Sequence, residues 1–274
     1  MDRDSNNLWF TALRMRSAES RPQIGNRRTR PAGLAVRIRI GFFLLLLTGY
    51  PVHAEDPLLK PFSATFSVHR NIVPLGELHL ELNFLDAGGY SYTAHTIPGF
   101  LAGLFSRNEV LEESRGKLYP DWVQPNRYRY QDQEESSENM EVTFDWNDHV
   151  ADTSSHDITW SQPIFSGTQD KLSQHLQVRR HLAQGEMHID YQVAEGGKLK
   201  TYQFVVDGEE PIETPYGTFN CLRVKRRKES GPPDYTIWFA PKLDFFPVRI
   251  ERIQGDRIYR MVLQTLESQP ESLQ

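Results

Sequence analysis

PIETPYGTFNCLRVKRRKESGPPDYTIWFAPKLDFFPVRIE, Pro211 to Glu251, reads as a strand, a tight turn, a second strand, a proline-bounded corner and a third strand. In Pro215-Tyr216-Gly217 the proline fixes φ, and the glycine can take a backbone conformation closed to most other residues. Tyr235, Ile237 and Phe239 share one face at period 2, with Trp238 on the other. Pro241 and Pro247 cannot donate to a ladder, so they belong at strand ends or at an edge.

The same alternation extends in both directions. Phe62, Ala64, Phe66 and Val68 alternate with small or polar residues, and Leu78, Leu80, Leu82 and Phe84 alternate with Glu77, His79, Glu81 and Asn83. Asp86-Ala87-Gly88-Gly89 then turns the chain into Tyr90, Tyr92 and Ala94. Further strands are predicted around 108–118, 126–131, 140–146, 187–193, 202–206 and 258–266, with a weaker one over 149–160. One helix is predicted, Asp170 to Ala183, with Leu172, Leu176, Arg179 and Ala183 on one face and Gly185 as its stop. About ten to twelve strands and one helix, with no strand–helix–strand alternation, exclude a doubly wound fold. They predict a mostly all-β protein: a single curved or barrel-like antiparallel sheet that protects its own edges. No repeat or linker divides residues 55–274, which are expected to form one domain.

The first 54 residues have a different character. Arg37 and Arg39 precede the apolar run Ile40–Leu47, followed by Gly49, Pro51 and the small residue Ala54. This is the order of a signal peptide, and the run is too short to span a bilayer, which needs about 20 apolar residues. Cleavage after Ala54 is expected. A polar, arginine-rich stretch precedes it and makes the leader long for a signal peptide, so translation is expected to begin near Val36 rather than within residues 1–35. Glu55, not cysteine, follows the cleavage point, and Cys221 is the single cysteine. The leader therefore predicts a soluble periplasmic protein, neither a lipoprotein nor an integral membrane protein after cleavage. Of the 31 basic and 36 acidic residues, nine and three fall in the leader, which leaves 22 and 33 behind it and a net charge of −11. So acidic a body argues against nucleic acid as a partner.

Gly116-Lys117-Leu118-Tyr119-Pro120, the stretch Thr168–Ser173, the turn Glu213–Phe219, and Trp238-Phe239-Ala240-Pro241 with Pro247-Val248-Arg249-Ile250 resemble the DUF3108 family of exported bacterial proteins. The resemblance covers roughly residues 61–266. It implies export and an all-β fold, and it carries no activity, cofactor or catalytic residue with it.

Read for chemistry, the residues eliminate more than they select. His175 and His181 are six apart, not stacked on one helix face, and His188 with Asp190 lacks a further ligand at diagnostic spacing, so solvated polar faces are expected and no metal or other cofactor is implied. Phe165-Ser166-Gly167-Thr168 lacks the first glycine of a nucleophile elbow. Cys221 lies in a strand without an adjacent histidine and reads as a buried structural thiol. Carboxylate pairs such as Glu112/Glu113 and Glu134/Glu135 abound, with nothing to single one out as catalytic.

Two features stand out. The apolar loop Ile97–Phe105 places Phe100, Leu101, Leu104 and Phe105 where a loop normally avoids such residues. The basic run Arg223–Lys228 reads as a strand edge blunted by charge, or as a surface for anionic headgroups. Together they suggest a non-enzymatic, envelope-associated binding protein for an apolar or lipid-like ligand. Phe100, Leu101, Leu104 and Phe105 would line the mouth of its cavity, the helix would cap it, and Arg226 and Arg227 would meet a headgroup. The alternative is a periplasmic enzyme acting on envelope polysaccharide or peptidoglycan.

Overall fold

The computed structural model describes residues 59–99, 109–156, 158–227, 233 and 235–268. The leader expected over 1–54, with its cleavage after Ala54, lies outside the described residues, as do Phe100, Leu101, Leu104 and Phe105.

Among the described residues fourteen strands make one antiparallel sheet. They are β1 (Phe62–Arg70), β2 (Val73–Leu85), β3 (Gly89–Pro98), β4 (Val110–Leu118), β5 (Val123–Asp132), β6 (Met140–Asp145), β7 (Val150–Ser155), β8 (Ile158–Pro163), β9 (His188–Glu195), β10 (Lys198–Thr214), β11 (Gly217–Arg227), β12 (Tyr235–Ala240), β13 (Phe246–Gln254) and β14 (Arg257–Ser268). The helix α1 spans Ser173–Ala183, between β8 and β9. The sheet order is β8-β7-β6-β5-β4-β3-β2-β1-β14-β13-β12-β11-β10-β9, so the first and last strands pair at its centre. From there two meanders run outward, one ending on β8 and the other on β9.

The expectation of ten to twelve strands is corrected upward. The weak strand read over 149–160 is a hairpin of two, β7 and β8, paired from Val150↔Pro163 to Ser155↔Ile158. Polar residues on both of its faces hide the period that marks the other strands. In the opening stretch the strand, turn and corner fall where expected. Thr214 Oγ1 accepts from Gly217 N at 3.1 Å, and Gly217 has φ +154°.

Among the described residues no ladder joins β8 to β9, and the sheet is not closed. Its two ends nevertheless meet. Residues 164–172 lead from β8 back to β9, where Gln169 pairs in parallel with Val193, Gln169 N donates to Gln192 O at 2.8 Å and Ala194 N donates to Gln169 O at 2.9 Å. At the turn after β9, a β-carbon placed on Gly197 would fall 1.0 Å from Trp160 Nε1 of β8. Part of the β9 edge is thus paired by the chain's own lead-in.

Side chains alternate across the strands as the period requires. Phe62, Ala64, Phe66 and Val68 of β1 and Leu78, Leu80 and Leu82 of β2 all point into the core. So do Val224 of β11, Ile237 and Phe239 of β12, Ile250 of β13, and Met261 and Leu263 of β14. Apart from Ala64, each such side chain contributes roughly 1.5–3 kcal/mol of hydrophobic stabilisation. No helix among the described residues is long and apolar enough to cross a membrane.

Gly116 of the GKLYP motif sits at a shift in the β4–β5 register, and a β-carbon there would lie 2.0 Å from Gln124 O, a backbone atom that cannot swing aside. Gly116→Ala should therefore cost about 1–3 kcal/mol, as overpacking does. Urea unfolding midpoints measure it, and an unchanged midpoint would mean the bulge relaxes freely.

The helix departs from expectation in two respects. It begins at Ser173, not Asp170, because Asp170 holds the preceding turn. Asp170 Oδ1 accepts from Leu172 N and from Ser173 N, each at 2.7 Å, while Asp170 N donates to Ser173 Oγ at 2.9 Å. It is also no lid with a solvated face. Eight of its eleven residues are buried, among them Gln174, Gln177, Arg179 and Arg180. Buried polar side chains of this kind require partners. Gln177 Oε1 accepts from Val123 N at 2.6 Å, Arg179 Nη2 donates to Asp244 O at 3.1 Å, and Arg180 Nη1 donates to Tyr119 O at 2.6 Å. The helix is locked to loops at one end of the sheet.

Candidate functional site

Helix α1 and its lead-in bring two polar assemblies together, one closed and one open. The closed assembly is ionic. On β4 the inward slots hold Val110, Glu112 and Ser114, and on β5 they include Tyr128 and Tyr130. From β9 and β10, Glu195 and Tyr202 face them. The lead-in residues Asp170 and Lys171 fill the space between.

Lys171 Nζ lies 3.7 Å from Glu195 Oε1 with its charge also on Glu112, and Lys200 Nζ lies 3.1 Å from Glu195 Oε2. Tyr128 donates to Glu112, and Tyr202 donates to Glu195. Ser114 Oγ donates to Asp170 Oδ2 at 2.5 Å and pairs with Tyr90 Oη at 2.9 Å.

Burial sets the protonation of this cluster. It pushes Glu112 up to about 7, against the pull of Lys171 and the Tyr128 hydroxyl. It pushes Asp170 up to about 6, despite the Ser114 hydroxyl and two backbone amides. Burial also lowers Lys171, partly offset by Glu195 and Glu112. Burial would raise Glu195 too, but Lys171 and Lys200 prevail and bring it down to about 2. Every member contacts another member, so the cluster reads as the bond that holds the lead-in inside the sheet.

The open assembly is a cleft of about 480 Å³ at the other side of the same lead-in. Trp122, Phe165 and Tyr191 supply aromatic surface, and Gln169, Gln177 and His181 supply polar groups. Its walls are firmly built. Thr168 N donates to Phe165 O and Phe165 N donates to Thr168 Oγ1, closing a turn that presents Phe165 with 57% of its surface exposed. Gln169 Nε2 donates to Val123 O at 2.9 Å, and Gln177 Nε2 donates to Asp121 O at 3.3 Å, fixing the strand start that carries Trp122. The Trp122 ring lies 5.3 Å from Tyr119 and 6.5 Å from Trp146, and Trp146 Nε1 is anchored on Pro125 O at 2.8 Å. Two buried polar atoms of lining residues, Gln169 Oε1 and Tyr191 Oη, have no hydrogen-bond partner in the protein.

The residues expected to bind ligand are placed differently. Arg226 is neither at an edge nor at a mouth: it is buried, its guanidinium 4.3 Å from the Tyr202 ring and 4.0 Å from the Tyr235 ring. Alternation from Val224 puts it inside, and the ring faces replace its hydration. Arg227, one residue on, is exposed. Two outward cations of the same run are paired, Arg223 Nε with Asp207 Oδ1 at 2.8 Å and Lys225 also with Asp207. His175 is not on a solvated face either. Burial, with Arg226 second, pushes its imidazole down to about 3. Cys221 is buried as expected, and among the described residues no group of three His, Cys, Asp or Glu is placed to hold a metal ion.

The cleft escaped the sequence reading because its parts lie in two corners and a strand. Leu118–Trp122 reads as a corner and Phe165–Thr168 as a failed elbow, and non-local contacts of Gln169 and Gln177 bring them together.

A barrel-like antiparallel sheet, open along one seam and plugged by a helix with an ionic lead-in, is the class these observations define. The chain belongs to the DUF3108 family, described as protein of unknown function, whose model matches residues 83–262. No curated protein matches it. Among solved structures the fold is similar to that of a beta-barrel-like protein of domain of unknown function DUF1849 from Brucella abortus. That similarity has a TM-score of 0.54 and 14% identity, over 77% of this chain and 99% of that chain. At such identity the likeness concerns the fold alone.

Proposed function

We propose that this is an exported protein of the periplasm that binds a small ligand of the cell envelope without transforming it, in the cleft between Trp122 and Phe165. The observation that carries the reading is a cleft walled by the rings of Trp122, Phe165 and Tyr191, with Gln169, Gln177 and His181 among its lining residues. A volume of about 480 Å³ lies within the roughly 300–1,000 Å³ of small-molecule sites. The interior of the sheet suits a ligand less well, because α1 and the Glu112–Lys171–Glu195 cluster occupy it. Export is supported by the leader ending at Ala54.

The test is to express the full chain in a Gram-negative host, purify it from the periplasmic fraction and weigh it by native mass spectrometry. The expected result is a chain beginning at Glu55 that carries an added mass, with that mass lost in Trp122→Ala. Recovery from the cytoplasm with the leader intact, or an identical ligand load in the variant, would overturn the reading. Turnover of the carried molecule would instead favour an envelope enzyme, with Asp121, Asp190 and His181 of the same cleft as its reacting groups.

A further inference from the structure

Resting on that reading, we infer that the ligand is a short peptide with a cationic residue, seated as an added strand on the β9 edge beside Gln169. Gln169 N donates to Gln192 O and Ala194 N donates to Gln169 O, so the main-chain groups of Gln192 and Ala194 point away from β10. In an antiparallel ladder that direction alternates residue by residue, so Asp190 points the same way. Val206 N of β10, which donates to Met187 O, fixes the same phase. Beyond Gln169 the edge loses its partner. Gly167, at φ +86°, turns the lead-in aside, and its carbonyl accepts from Gln169 Nε2 at 3.1 Å. Asp190 N, Asp190 O and Gln192 N therefore have no hydrogen-bond partner among the described residues. Asp190, Tyr191 and Gln192 are the part of β9 that lines the cleft.

An unpaired strand edge selects for backbone. Its donors and acceptors recur every second residue, about 6.6 Å apart, and an extended peptide has the same repeat. Gln169 already makes this pairing one step along the edge, with one donated and one accepted bond. An acyl chain would cover the cleft's rings but leave the edge groups desolvated and unpaired. A saccharide has hydroxyls but lacks the repeat. The side chains select charge. Asp121 and Asp190 are exposed lining residues whose carboxylates form no ion pair among the described residues, and no lysine or arginine lines the cleft. A lysine or arginine of the peptide suits those carboxylates and the rings of Trp122 and Phe165, whereas an acidic residue would be repelled.

The experiment presents the purified full chain with a pool of capped tetrapeptides carrying one lysine among valine, threonine, leucine and phenylalanine, and with a matched pool carrying glutamate instead. Mass spectrometry identifies the retained peptides, and calorimetry measures the tightest. Lysine peptides should be retained over glutamate peptides, and Asp190→Asn should reduce that preference. Methylating the peptide's amide nitrogens one at a time should weaken binding about tenfold at one position or more. The bound peptide should also slow hydrogen exchange at the Asp190 and Gln192 amides about tenfold. Gln192→Pro removes an edge donor but no β9–β10 ladder bond, and should weaken binding about tenfold, with its melting temperature as the folding control. Retention of neither pool, with an added mass still lost in Trp122→Ala, would overturn the peptide assignment and leave the cleft a binding site. If neither pool is retained and the protein carries no added mass, the assignment and the binding reading fall together. A peptide indifferent to methylation and without effect on the two amides would be held by side chains alone, which would overturn strand addition. Preference for the glutamate pool would overturn the cationic assignment.

Discussion

Lys171→Met should cost the fold about 3–5 kcal/mol, because it removes the central cation of a buried cluster and leaves charge behind. Lys171 stands between Glu112 and Glu195, and all three are buried. Methionine fills nearly the same volume, so the loss is electrostatic rather than a cavity. Lys200 is the internal control. It contacts Glu195 Oε2 at the closer distance of 3.1 Å, yet its side chain is 35% exposed, so Lys200→Met should cost only about 0–1 kcal/mol. Adding Glu195→Gln to Lys171→Met should give a total loss smaller than the sum of the two single losses, since the uncompensated charge disappears. Urea denaturation of the wild type, the single variants Lys171→Met, Lys200→Met and Glu195→Gln, and the double variant measures these losses. Equal losses for the two lysines would show that burial, and with it the cluster, does not anchor the lead-in.

The same cluster shows where the sequence is legible and where it is not. Period-2 alternation is a local signal, so β1, β2, β3, β12 and the hairpin around Gly217 could be read directly. Alternation also carried information that charge obscured. Val110, Glu112 and Ser114 occupy successive inward slots, as do Val224 and Arg226. The period places Glu112 and Arg226 inside, whereas their charge suggests solvent, and the structure follows the period. What makes this affordable is partners from distant segments: Lys171 for Glu112, and the rings of Tyr202 and Tyr235 for Arg226. Those partners are set by the return of the chain from β8 to β9, a non-local event with no sequence period of its own. The helix suffered for the same reason. Its buried polar residues Gln174, Gln177, Arg179 and Arg180 acquire acceptors only when the surrounding loops are in place.

Glu112→Gln should leave stability nearly unchanged at pH 4.5 and raise it relative to the wild type at pH 8. Burial lifts the Glu112 carboxyl from 4.5 to about 7 in the folded chain. Between those values the native state holds a proton that the unfolded state has lost. The free energy of unfolding then falls as pH rises through the window, and the penalty is complete above pH 7. At 1.36 kcal/mol per unit, the full effect is roughly 3 kcal/mol, an order-of-magnitude figure for a fully buried group. Glutamine imitates the protonated acid, can accept from Tyr128 and has nothing to titrate, so the variant should escape the penalty. Other groups shape the absolute curves. Asp170, raised to about 6, acts in the same sense between its unfolded value of 3.8 and 6. His175, lowered to about 3, acts oppositely between 3 and 6.5, as does Glu195 between about 2 and 4.5. These are common to both proteins, so the difference between the two stability curves isolates Glu112 to first order. Urea unfolding at half-unit steps from pH 4.5 to 8 measures that difference. A gap that stays flat, or one that favours the wild type as pH rises, would mean that Glu112 is already ionised in the fold and that Lys171, rather than burial, governs its charge.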